Sequence, residues 1–160
     1  MKKVSYQEGD VFCLPLRDSG FCLGVIARIS KDRKILLGYF WGDRLASCPL
    51  VGQLPVLRPS DAIKIVRFGA LSLRNGGWVV VGRIPDWDRT DWPMPKFVRH
   101  EDFSKRAFLV TYTDNDPSQR VSEERCDRGV NAYETDSLLG AGYVELMLTQ
   151  LLGAPATVAT

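Results

Sequence analysis

The chain has 160 residues, 45% hydrophobic and 25% charged, with 21 basic against 19 acidic side chains. That balance describes one ordinary globular domain over 1–160, with its core over about 9–152, and excludes wholesale disorder. A net charge of +2 gives no pull toward nucleic acid, whose dedicated binders carry a clear basic excess.

The opening Met1-Lys2-Lys3-Val4-Ser5-Tyr6-Gln7-Glu8 meets an acid before any apolar run, so no signal peptide is expected. No apolar stretch approaches the ~20 residues needed to cross a bilayer, and no membrane partner is expected. Of the four cysteines, Cys13 and Cys22 sit in strand-like apolar runs as small buried hydrophobes, while Cys48 and Cys126 lie outside them. Without an export signal, the expectation is a cytoplasmic protein with thiols rather than disulfides.

The first two thirds of the chain read as β. Val11 to Leu16 is a strand whose Pro15 removes a ladder donor, which points to an edge or a bulge. After the turn Arg17-Asp18-Ser19-Gly20, residues 21–29 form a second strand with Leu23, Val25, Ala27 and Ile29 on one face. A polar turn at 30–34 leads to a third strand, Ile35 to Trp41, and three short strands so close together suggest an antiparallel meander. Residues 43–60, holding Pro49, Gly52, Pro55 and Pro59, read as an irregular connection.

In the next strand, 62–68, Ile63, Ile65 or Val66 and Phe68 face in, while Lys64 and Arg67 face out. Gly69 to Leu73 suggests a short helical turn closed by Asn75-Gly76-Gly77, and Trp78 to Ile84 a central strand. Residues 85–95 form a loop carrying Trp87 and Trp92 with Asp86, Asp88 and Asp91, and Ala107 to Tyr112 is the last strand. Asp114-Asn115-Asp116-Pro117 breaks the pattern, and a polar stretch runs to Asp136.

Ser137 to Leu152 then reads as a helix, capped by Asp136 or Ser137, with Val144, Met147, Leu148 and Leu151 at helical spacing and Leu139, Leu146 and Leu152 widening the stripe. Gly140 and Gly142 mark either a start nearer Tyr143 or a close approach to the sheet, and Gly153 and Pro155 end the helix. The fold expected is α+β: a strongly bent, mainly antiparallel sheet, or a partly open barrel, with a C-terminal helix packed on it.

Charge is uneven. Residues 1–100 hold 16 basic and 9 acidic side chains, residues 101–160 hold 5 and 10. The acids Asp114, Asp116, Glu123, Glu124, Asp127, Glu134 and Asp136 either pair internally or form a docking surface for a basic partner.

No catalytic constellation emerges, and no enzyme is expected. The single histidine, His100, reads as a surface residue at a strand edge; Cys13, Cys22, Cys48 and Ser72 sit in no nucleophile signature beside it. The cysteines lack the close pairs of structural zinc sites. Gly140-Ala141-Gly142 lacks both the third glycine and the preceding strand of a dinucleotide loop. The carboxylate neighbours Asp86 with Asp88 and Glu123 with Glu124 are ordinary surface pairs. No metal or cofactor is therefore expected. Recognition chemistry is easier to find: Trp87 and Trp92 either stand exposed as interface anchors or fold back over the sheet end. Trp41 shares that ambiguity, whereas Trp78 reads as core.

Three blocks carry a resemblance. They are Gly9-Asp10-Val11-Phe12 with Pro15-Leu16 and Phe21-Cys22-Leu23-Gly24-Val25-Ile26; Gly77 to Pro85 with Pro95-Lys96-Phe97; and Leu138 to Glu145 leading into Leu148 and Leu151. In that order, across about 9–152, the chain resembles the immunity protein 26 family of bacterial polymorphic toxin systems. The stretch from Cys48 to Pro59 and the doubled-tryptophan loop depart from the pattern.

The resemblance implies a cytoplasmic antidote to a cognate toxin, of the kind found in contact-dependent growth inhibition, that binds and silences it without chemistry of its own. It carries no matched functional residues. The contact residues expected from chemistry alone are Trp87, Trp92, Asp86, Asp88, Asp91, Asp114, Asp116, Glu123 and Glu124, whose acids would suit a nuclease's basic site. The alternatives are a small β-barrel nucleic-acid module stacking bases on Trp41 and Tyr39, and an enzyme built on His100 and a cysteine.

Overall fold

A computed structural model describes residues 5–127 and 133–153. The expected start region 1–4, part of the polar stretch at 128–132, and Pro155 lie outside them. Ten strands form two sheets. The larger contains β1 (Asp10–Pro15), β2 (Phe21–Ile29), β3 (Ile35–Phe40), β4 (Lys64–Gly69), β5 (Val79–Arg83) and β10 (Leu138–Leu139), in the order β10-β4-β3-β2-β1-β5. The smaller contains β6 (Phe97–His100), β7 (Ala107–Thr113), β8 (Asp116–Cys126) and β9 (Glu134–Thr135), in the order β8-β7-β6-β9. Pairing is antiparallel except where β10 meets β4 and β9 meets β6. The α+β reading and the meander β1-β2-β3 hold, and the barrel alternative gives way to two open sheets.

The larger sheet is buried on both faces, which is why β1 to β3 read as nearly unbroken apolar runs rather than alternating ones. One face carries Phe12, Leu14, Cys22, Ile26, Leu36, Phe40, Val66 and Phe68 against helices α1 (Leu71–Asn75) and α2 (Ala141–Leu152). The other carries Val11, Cys13, Leu23, Val25, Ala27, Leu37 and Tyr39 against Phe97, Val110 and Tyr112 of the second sheet. On the helix side Phe12 stacks on Trp78 at 5.4 Å and meets Phe40 at 5.7 Å. Glycines make the room: a Cβ on Gly24 would lie 2.4 Å from Phe12 Cζ, and one on Gly38 2.6 Å from Phe68 Cε1.

Several expectations are corrected. Trp78 to Ile84 is not central: β5 is an edge strand, because β1 pairs with it on one side and no described strand pairs with the other. Pro15 sits in an interior strand, but the β1–β5 pairing stops at Cys13, and the bulge falls between Val11 and Phe12. The polar stretch after Tyr112 contains β8, turned back by Asp114-Asn115. It escapes hydrophobic patterning because, after Asp116 and Pro117, both of its faces meet solvent. Helix α2 begins at Ala141, since Leu138 and Leu139 pair with β4 instead. Val144 and Leu148 are its buried residues, with Ala141, Met147 and Leu152 packed beside them as the stripe predicts, whereas Leu146 and Leu151 are exposed. Glu145 accepts from Trp78 Nε1 at 2.8 Å and pairs with Arg17, so this dock is polar as well as apolar.

Arg67 does not face out. It shares the face of Ile65 and is buried beneath β7 and β8, its guanidinium 3.9 Å over the Tyr112 ring. It donates to the Pro117 carbonyl at 3.0 Å and pairs with Asp136 at 3.3 Å. Asp136 also accepts from Tyr112 Oη at 2.6 Å, so the acid expected as a helix cap instead ties the two sheets together.

Candidate functional site

The loop between β5 and β6 is organised locally. Asp88 caps the 3-10 turn Arg89–Asp91 by accepting from the amide and hydroxyl of Thr90, and these bonds hold its carboxyl below the usual range. The turn aims Trp92 inward. Trp92 is 3% exposed and packs edge-on against Tyr39 at 5.1 Å and Trp41 at 5.6 Å, with Trp87 5.5 Å away. Of the expected anchors, Trp92 is therefore core, while Trp87 is half-buried and keeps an open side. Tyr39 and Trp41 are also buried, their polar tips donating to the carbonyls of Pro93 and Arg58. Burial pushes the Tyr39 phenol up to about 12. Neither ring is presented for base stacking, and the nucleic-acid alternative loses the residues on which it stood.

Two arginines bring this loop beside the β7–β8 turn. A bulge between Ile26 and Arg28 shifts the side-chain alternation of β2 and turns Arg28 toward the second sheet. There the buried guanidinium donates to the Asp114 carboxylate and carbonyl, both at 2.9 Å, and to the carbonyls of Ala27 at 2.6 Å and Arg89 at 3.2 Å. Arg89 in turn bonds Glu8, Asp114 and Asn115.

The acids expected to meet a partner are largely committed elsewhere. Asp114 holds Arg28 and Arg89, and Asp116 is 3% exposed, accepting from Ser118 and the Lys31 amide. Glu123 pairs with Arg99 and Arg120, Glu134 with Lys64, and Asp136 with Arg67 and Arg120. Internal pairing is the outcome for four of these, and hydrogen bonding to neutral groups for Asp116. Asp86, Asp91 and Glu124 are exposed, Glu124 on β8 well along the hairpin from the loop. His100 closes β6 and is exposed.

Two surface features lay beyond sequence reasoning. The connection at 43–60 folds back across β1 and β5, with Cys48 disulfide-bonded to Cys13. That overturns the expectation of four thiols: a strand residue and a loop residue 35 positions apart meet only in the fold. Cys22 stays free, and burial pushes its thiol up to about 12. At the tip of this connection Leu50, Val51 and Val56 are 68%, 83% and 83% exposed. Beneath them lies a cleft of about 530 Å³, whose walls include Val11, Leu54, Leu57, Arg83 and Ile84. A second, open cleft of about 590 Å³ lies around Trp87 and is lined by Lys31, Arg33, Arg83, Arg89 and Glu8 among others. Solvent-exposed aliphatic side chains clustered on a proline-rich loop were the available signal.

The fold is a sheet covered on both faces by two hydrophobic cores, with irregular connections spread over its rim. The chain belongs to the immunity protein 26 family, whose profile matches residues 7–109, from just before β1 into β7. No curated protein and no solved structure matches it. Among the described residues no helix is long and apolar enough to cross a membrane.

Proposed function

We propose that this protein neutralises a cognate toxin by binding it directly and covering a surface the toxin needs, with no bond-making of its own. The observation that carries this is the family match across residues 7–109. That segment includes the five longer strands of the larger sheet and the tryptophan loop. The fold supports it, because the rim loops are held by side-chain hydrogen bonds and ion pairs, and a preorganised surface loses little freedom on binding. Trp87 is the tryptophan of the loop positioned to reach a partner.

The test is co-production with the toxin encoded by the adjoining reading frame. Cells are expected to survive only when this chain is present, and the two purified proteins to co-elute as a stoichiometric complex. The His100→Ala variant should protect as well as the wild type. Protection without a complex, or protection lost with His100, would point to an enzyme and sink the proposal.

A further inference from the structure

The geometry points to a docking surface for an apolar, acidic segment of the toxin, formed by the two clefts that share Arg83. This rests on the proposed neutralisation and specifies where it happens and what chemistry is read. One cleft is walled by Val11, Leu54, Leu57 and Ile84 and overhung by Val51 and Val56. Single exposed aliphatic residues are commonplace, but three large ones within seven positions, above an apolar cleft, form a contiguous patch of the sort that marks an interface. Arg83 is the one ionisable residue among the walls of that cleft, and between Leu45 and Ser60 the overhanging connection contains no acid.

Arg83 also lines the second cleft, where Lys31, Arg33 and Arg89 stand with Trp87 and Glu8; Arg83 pairs with Asp10 and Arg89 with Glu8 and Asp114, so Lys31 and Arg33 supply the basic excess. The surface therefore runs from an apolar anchor site to a cationic, tryptophan-floored groove. The charge complement is a segment that buries aliphatic or aromatic side chains and carries carboxylates beside them. This sign is opposite to that expected from the acids in the sequence, of which Asp114 and Glu123 are ion-paired and Asp116 is buried.

Binding of the purified toxin from the adjoining reading frame would be measured by calorimetry at two salt concentrations, with melting temperature as the folding control. Val51→Ser with Val56→Ser, both at exposed positions, is expected to weaken binding at least 100-fold with little salt dependence. Lys31→Glu with Arg83→Gln should weaken it about 10-fold at low salt and less at high salt. Asp86→Lys with Asp91→Lys should leave affinity unchanged or raise it. If the wild type binds and the valine pair does not matter, or if the aspartate pair is the one that weakens binding, the docking assignment falls while neutralisation stands. If the wild type does not bind, both fall. A wild-type dimer made monomeric by the valine substitutions would reassign the patch to a second copy of this chain and overturn the proposal.

Discussion

Replacing Trp92 by alanine separates the two roles open to the tryptophan loop. The ring is 3% exposed and contacts Tyr39, Trp41 and Trp87 at centroid separations of 5.1, 5.6 and 5.5 Å. Truncating a buried tryptophan costs about 3–5 kcal/mol, through lost transfer energy and the cavity left behind. The three aromatic contacts place this case in the upper half of that range, since such pairs add roughly 0.5–1.5 kcal/mol each. For a domain of this size 1 kcal/mol moves the melting temperature by about 2–4 °C, so a drop of roughly 8–20 °C is expected. Trp87→Ala, at a half-buried position, should lose about half as much. Calorimetric melting of both variants gives the answer, with tryptophan fluorescence reporting loss of the most shielded ring. A Trp92→Ala drop below about 2 °C would refute the interior placement and restore the ring to the surface.

Thiol counting tests the loop staple. With Cys13 and Cys48 bonded and Cys22 buried, the folded oxidised protein should show one readily reactive thiol, Cys126. Unfolding should reveal a second, and reduction all four; three or more in the folded oxidised protein would dissolve the staple. Asp116 offers a pH test. Burial pushes its carboxyl up, but hydrogen bonds from Ser118 and the Lys31 amide outweigh this and leave it below the usual range. A depressed folded value stabilises above the unfolded pKa of ~3.9 and is lost as pH falls through the folded value. The gap in urea midpoint between wild type and Asp116→Asn should be clear at neutral pH and close in acid below ~3.9. A gap constant from neutral pH into strong acid would trace the loss to packing rather than charge.

Strands β1 to β4 and β7 were legible because their apolar runs and turn residues are local signals, and α1 because Asn75-Gly76-Gly77 closes it. The misread pieces share a cause. Arg67 looked solvent-facing since alternation assigns a charge to the outside, and only a second sheet across the first gives a buried guanidinium its ring, carbonyl and carboxylate. Strand β8 looked like a loop since a strand with solvent on both faces has no hydrophobic period to show. A linear count likewise cannot show which acids of the final third meet Arg28, Arg67, Arg89 and Arg99 from distant elements, while Asp114, Glu123 and Glu124 keep exposed positions.

Composition, strand pattern and the first two of the three short blocks were enough to point to an α+β domain and to the family whose profile matches 7–109, because both rest on residues close together in the chain. Which side chains are left for a partner is a different kind of question. It depended on how two sheets and a stapled loop come together, since pairing and burial across long separations decide which charges are cancelled and which apolar groups stay in water. That is why Trp92 and Asp116 went inside on folding, while the patch at Val51 and Val56 and the groove at Trp87 came into view.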